Sequence, residues 1–89
     1  MSNAQPPDLA TCRTQRAAML KAAMRSAEAD QERSARECLL ALLAGTAPPA
    51  NAVARLQALD ARLTQLRATL AAFDAAQSQA ALDAITWTP

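Results

Sequence analysis

The chain has 89 residues, a formal net charge of +1 and no histidine. A chain of this length forms one small domain, and its nearly balanced charge creates no large field to attract nucleic acid or an anionic membrane. Without histidine, a histidine general base and a Ser-His-Asp triad are excluded, and a single glycine excludes a phosphate-binding loop. The sequence therefore predicts a protein that is not an enzyme and that binds no cofactor, metal or small-molecule substrate.

The composition favours helices over the whole chain. Alanine supplies 25 residues and glycine only one, and the only aromatic residues are Phe73 and Trp87. Alanine is the best intrinsic helix former, whereas strands are enriched in β-branched and aromatic residues. The predicted fold class is all-α.

The first helix is expected at about residues 8–44. Asp8 can accept hydrogen bonds from the first free amides of this helix, and the next glycine or proline after it is Gly45. A glycine at that point is typical of a helix end with a left-handed residue. Residues 1–7 are expected to be disordered, and they lack the pattern of a signal peptide.

A turn at residues 45–48 and a second helix at about residues 49–83 are expected next. Thr46 is expected to cap the second helix, and proline suits the first turn of a helix, where amide hydrogens have no partner within the helix. Because short links join antiparallel helices, the predicted fold is a long antiparallel two-helix hairpin. Residues 85–89 are expected to form an extended tail, which is either ordered, docked on a partner or frayed.

An apolar stripe runs along the second helix at alternating spacings of three and four residues. This heptad pattern is typical of a coiled coil and predicts that another helix packs along the stripe. Gln77 and Ala80 are expected to continue the stripe, and the polar Gln77 at a core position could set the pairing register. The leucine stripe consists of Ala52, Leu56, Leu59, Leu63, Leu66, Leu70 and Phe73.

The first helix has a weaker apolar face and an apolar end. A helix end that is apolar all round is buried on more than one side, and one partner helix does not cover Leu39, Leu40, Leu42 and Leu43 together. The hairpin is therefore expected to be completed by dimerisation or by another protein. The expected face consists of Leu20, Met24, Ala27, Gln31, Ala35, Cys38 and Leu42.

These patterns together predict a surface for binding another protein. The expected partner is another helical protein or a second copy of the chain, in a homodimer or four-helix bundle. The predicted interface residues are Leu39, Leu42, Leu43, Leu56, Leu59, Leu63, Leu66, Leu70, Phe73 and Trp87.

The cysteines and the apolar segments indicate where in the cell the protein is expected. Cys12 and Cys38 on one straight helix would lie ~39 Å apart, which is too far for a disulfide. Two reduced thiols suit a cytoplasmic protein. The longest apolar run, residues 38–44, is far shorter than the ~20 residues of a membrane span, so no membrane insertion is expected.

A basic stretch in the first helix suggests an alternative function. Arg13, Arg16, Lys21 and Arg25 are opposed there only by Asp8, and such residues can contact phosphates. Nothing nearby is suited to reading bases, so a small nucleic-acid-associated regulator is only an alternative. We expect Arg13 and Arg16 to lie on the surface, where substitutions cost little stability.

The sequence resembles one known family. A short helical hairpin, with a thiol in the first helix and a Gly-x-x-Pro turn at residues 45–48 before a Leu/Ala-rich second helix, is similar to the small E-type co-chaperones of type III secretion. The resemblance covers roughly residues 20–75. It implies a cytoplasmic partner of the needle-subunit chaperone that helps to keep the needle protein unpolymerised. A self-assembling helical scaffold subunit is the alternative from a different class.

Overall fold

A computed structural model describes residues 8–89 of the chain. The helices are α1 (Leu9–Leu43), α2 (Ala50–Ala75) and α3 (Gln79–Asp83). α1 and α2 pack against each other as an antiparallel hairpin, and residues 8–89 contain no strand. The predicted all-α helical hairpin is confirmed, and the molecule measures 68 × 25 × 15 Å. The disorder expected for residues 1–7 lies outside the described residues.

Asp8 caps the first turn of α1, as its sequence position indicated. The backbone amide of Thr11 donates to the Asp8 carboxylate at 2.8 Å. This backbone hydrogen bond, together with one from the side chain of Thr11, lowers the pKa of Asp8. Because the folded-state pKa is lowered, the stability that the cap contributes is present at neutral pH and is lost as the pH falls through that pKa.

Gly45 ends α1 in a left-handed conformation, with φ of +76°. Its amide donates to the carbonyl of Leu42 at 3.1 Å, and the amide of Thr46 donates to the carbonyl of Ala41 at 2.9 Å. These two bonds form a Schellman motif. The Thr46 hydroxyl also donates to Ala41, at 2.9 Å, so Thr46 caps the end of α1 and not the start of α2. The N-cap of α2 is Pro49, which makes no side-chain capping bond.

α2 ends at Ala75, so the prediction that the second helix continues to about residue 83 is wrong. The backbone becomes extended at Ala76, with ψ of 128°. Ser78 then starts α3 by accepting a hydrogen bond from the amide of Ala81 at 3.0 Å. A serine at the N-cap satisfies an amide that would otherwise lack a partner, which stabilises the new helix direction.

The break after α2 changes which side chains are buried. Gln77 and Ala80 are exposed, so the hypothesis that Gln77 sets a pairing register from a core position is wrong. Leu82, on α3, is instead fully buried. A straight α2 would carry residues 77–83 beyond Leu9, the first residue of α1, whereas the break turns Leu82 back onto the hairpin.

The main hydrophobic core lies at the end of the hairpin far from the turn. Ile85 and Trp87 are half-buried and pack against this core. Arg62 donates to the carbonyl of Thr88 at 2.9 Å, so the tail is ordered and docked on its own hairpin. The buried residues of this base core are Leu20, Leu66, Phe73, Ala76 and Leu82.

The side of α1 that faces α2 repeats every seven residues. A repeat of seven keeps two helices in contact through a left-handed supercoil. The face expected from the sequence assumed ordinary helical spacing and therefore included Ala35 and Leu42. Both of these residues are exposed. The residues found at this seven-residue spacing are the buried Leu20, Ala27 and Ser34 and the half-buried Ala41.

Leu20→Ala is expected to destabilise the hairpin by ~2–5 kcal/mol, because it leaves a cavity in the base core. Leu20 is fully buried, whereas its neighbour Met19 is 66% exposed. Urea unfolding followed by helical circular dichroism measures the loss, with Met19→Ala as the matched control. Equal losses for the two variants would contradict the position of the core.

Gly45→Ala is expected to destabilise the protein by ~1–2 kcal/mol, because a left-handed backbone is unfavourable for residues with a Cβ atom. A Cβ added there would meet no atom within 4 Å, so the loss comes from the backbone alone. Thermal and urea unfolding measure it. Gly45→Asn should lose less, because asparagine tolerates this conformation, and an alanine variant as stable as the parent would disprove the explanation.

Candidate protein-binding surface

Most of the predicted interface residues face the interior of the hairpin. Leu63, Leu66 and Phe73 are at most 2% exposed, because α1 covers them within the same chain. They are therefore unavailable to another protein while the hairpin is intact. The half-buried members of the predicted set are Leu56, Leu59, Leu70 and Trp87.

The three predicted interface residues at the end of α1 are exposed, together with Leu40. Isolated exposed leucines are ordinary, but a contiguous apolar patch is typical of an interaction site. We call these four leucines, which lie beside the turn, the tip patch. Their exposed fractions are 56% for Leu39, 59% for Leu40, 61% for Leu42 and 75% for Leu43.

The contact between α1 and α2 determines where each leucine of the tip patch points. Ala41 lies on the side of α1 that faces α2. Successive residues turn by about 100° around a helix, so Leu39 and Leu43 lie on the opposite side of α1. Leu40 and Leu42 point to its two flanks. The tip patch thus covers the sides of α1 that α2 leaves open.

The whole tip of the hairpin lacks charge. Residues 38–54 contain no Asp, Glu, Lys or Arg, although charged residues stand at both borders, Glu37 and Arg55. Arg55 on α2 pairs with Asp30 on α1 at 3.1 Å, so charged side chains connect the two helices beyond the uncharged tip. The absence of charge can be read from the sequence alone, and the hairpin folds this one segment into a single surface at the turn.

Arg13 holds the carboxyl end of α2. Its Nε atom donates to the carbonyl of Phe73 at 2.9 Å, and its guanidinium also donates to the carbonyl of Ala76. The last carbonyls of a helix lack partners within the helix and carry partial negative charge. A partly buried guanidinium supplies both a donor and a positive charge, so Arg13 stabilises the end of α2.

Arg16 makes the equivalent contact with α3. It donates to the carbonyl of Leu82 at 3.3 Å and forms an ion pair with Asp83. The expectation that Arg13 and Arg16 lie on the surface without a structural role is therefore wrong. No local pattern could have revealed these contacts, because the partners are 60 or more residues away along the chain.

The residues of the basic stretch therefore differ in their surroundings, since Arg13 and Arg16 bond to helix ends and the other two do not. Lys21 and Arg25 are exposed, and with Arg13 and Asp74 they border an open groove of about 400 Å³. Arg13 is already bonded to the end of α2. Asp74 offsets part of the positive charge that Lys21 and Arg25 bring to the groove. The arrangement favours a structural interpretation of the stretch over phosphate binding.

Neither a metal site nor a membrane-spanning helix is found among residues 8–89. Cys12 and Cys38 are both half-buried on α1. Across residues 8–89, no group of three or more Cys, Asp or Glu side chains is arranged to hold a metal ion. In the same part of the chain, none of the helices combines the length and apolar character needed to cross a membrane.

Comparisons with models of protein families, with curated proteins and with solved structures give no match. The fold defines the class as an all-α helical hairpin, closed at its base by α3 and the tail. Its distinctive surface is the uncharged tip.

Arg13→Gln is expected to destabilise the protein by ~1.5–3 kcal/mol, the usual range for hydrogen bonds made by a charged group. Lys21→Gln, an exposed position on the same helix, is the matched control and should change stability little. Chemical unfolding measures stability, and fluorescence of the single tryptophan, Trp87, reports whether the tail stays docked. Equal effects of both substitutions would show that Arg13 does not hold α2.

Proposed function

We propose that the protein is a non-enzymatic protein-binding module whose binding surface is the tip patch. The observation that carries this proposal is that four neighbouring leucines are each more than half exposed, at a tip without charged residues. Full burial of a leucine side chain is worth ~1.5–3 kcal/mol. Covering the patch would therefore support a specific but moderate association.

A finer form of this proposal is a small secretion co-chaperone that binds a helical partner in the cytoplasm. Its support is the resemblance to the E-type co-chaperones of type III secretion. The Gly-x-x-Pro segment at residues 45–48 that carries the resemblance is part of the uncharged tip. The binding surface proposed now is the tip patch rather than the leucine stripe, because α1 already covers the stripe.

A self-assembling helical scaffold subunit is the second candidate. Its support is the net charge of +1, which leaves little long-range repulsion between copies, together with the exposed tip patch. A nucleic-acid-associated regulator has less support, because Arg13 and Arg16 are engaged with the helix ends.

A photo-crosslinking residue at position 43 tests the proposal in cells that naturally make the protein. Leu43 is 75% exposed in the tip patch, and Met19, 66% exposed on the same helix, is the matched control position. We expect protein adducts from position 43 and few from position 19. An adduct with a different helical protein favours the co-chaperone, an adduct of two copies favours self-assembly, and no excess at position 43 would contradict a binding role for the tip.

A further inference from the structure

We infer that the tip patch binds a second copy of this chain, with the two α1 helices antiparallel and back to back. The inference rests on the proposed function of the tip patch and adds the identity of the partner. A two-fold symmetric contact uses the same surface on both copies. That surface must therefore be complementary to itself in shape and in charge.

A second stripe on α1 has the spacing that helix pairing requires. It lies on the side opposite α2 and comprises Glu32, Arg36, Leu39 and Leu43, at spacings of four, three and four residues. Alternation of three and four is the pattern by which two helices pack side by side. The stripe is charged in its first half, where Arg36 and Glu32 approach to 4.0 Å, and apolar in its second half.

This division between charged and apolar halves selects one arrangement of the two copies. Antiparallel pairing that places Leu39 opposite Leu43 of the second copy buries both leucines of each chain. The same register places Arg36 opposite position 46 of the second copy, just beyond the end of its α1. Parallel pairing would instead align each Arg36 with the Arg36 of the other copy, which repels like charges.

The lack of a basic residue at the end of α1 fits this antiparallel arrangement. α1 has no basic residue in its last turn, although a helix carboxyl end carries partial negative charge that a cation stabilises. Arg36 of the second copy would supply that cation, and the contact is made twice by symmetry. Each copy thus provides the charge that the helix end of the other lacks.

The residues around the tip favour a protein over a membrane as its occupant. The charged residues nearest to the tip are Arg36, Glu37 and Arg55, and they have mixed sign. An anionic membrane surface attracts clusters of basic residues, which this border does not provide. The mixed signs are compatible with a second copy, where opposite charges can face each other.

A contact confined to the tip patch predicts a reversible dimer. Apolar patches with a function on monomers typically measure ~300–600 Å², so two of them bury at most the ~1,200 Å² that separates weak from standard interfaces. We therefore expect dimers that dissociate on dilution through the micromolar range.

Sedimentation velocity of the full chain over a dilution series tests the inference. The wild-type protein should be a reversible dimer, and Leu43→Glu should raise its dissociation constant at least tenfold. Met19→Glu, at an exposed position outside the tip patch, should leave that constant unchanged. Circular dichroism checks that both variants retain their helicity.

Substitutions of Arg36 test the antiparallel register. Arg36→Glu should weaken the dimer at least threefold, because it places a carboxylate beside the negative end of the facing helix. Arg36→Lys, which keeps the cation, should dimerise like the wild type. An Arg36→Glu variant that dimerises like the wild type would overturn this arrangement.

The remaining outcomes separate this inference from the proposed function. A wild-type protein that stays monomeric at every concentration would overturn binding of a second copy, while adducts of position 43 with another protein would still support the tip as a binding surface. A dimer that Leu43→Glu does not weaken would overturn the tip as the dimer contact.

Discussion

The contact between Arg13 and the carboxyl end of α2 is the interaction on which the base of the molecule depends. It gives the carbonyls of Phe73 and Ala76 a charged donor, where an unsatisfied carbonyl beneath packed side chains would be unfavourable. With α2 ended there, Ser78 can start α3 in a new direction and Leu82 can enter the base core. The tail then packs over the same region, so one arginine near the start of the chain organises its last residues.

The two halves of the hairpin are stabilised differently. At the base, the large side chains of Leu20, Leu66 and Phe73 fill the space between three helices. Towards the turn, the buried positions are the small Ala27, Ser34 and Ala52, which allow close approach of the helices but bury little apolar area. Of the large apolar side chains that are exposed in residues 8–89, all but Met19 lie in the tip patch. Stability is therefore concentrated at one end and exposed apolar surface at the other.

The sequence predicted the features that depend on local pattern. Asp8 and Gly45 limit α1 because of their own backbone and side-chain chemistry, and the heptad spacing correctly predicted a helix along the leucine stripe. The end of α2 was missed because Ala76, with no glycine or proline nearby, is a good helix former. The local signal was Ser78, which caps α3, whereas the contact of Arg13 with Ala76 comes from a distant part of the chain. The exposure of Leu42 was missed because the buried side of α1 repeats every seven residues and so reaches Ala41, the spacing that is typical of supercoiled helices.

The separation of the leucine stripe from the tip patch constrains how this protein can bind. The sequence suggested that both belong to one interface, but the fold places the stripe against α1 and leaves the patch in solvent. A partner that binds the stripe must first separate α1 from α2, which exposes Leu63 and Leu66 and disrupts the base core. A partner that binds the tip leaves the base core intact, because the two regions lie at opposite ends of the hairpin. Binding at the tip is thus compatible with a stable fold, whereas binding at the stripe competes with folding.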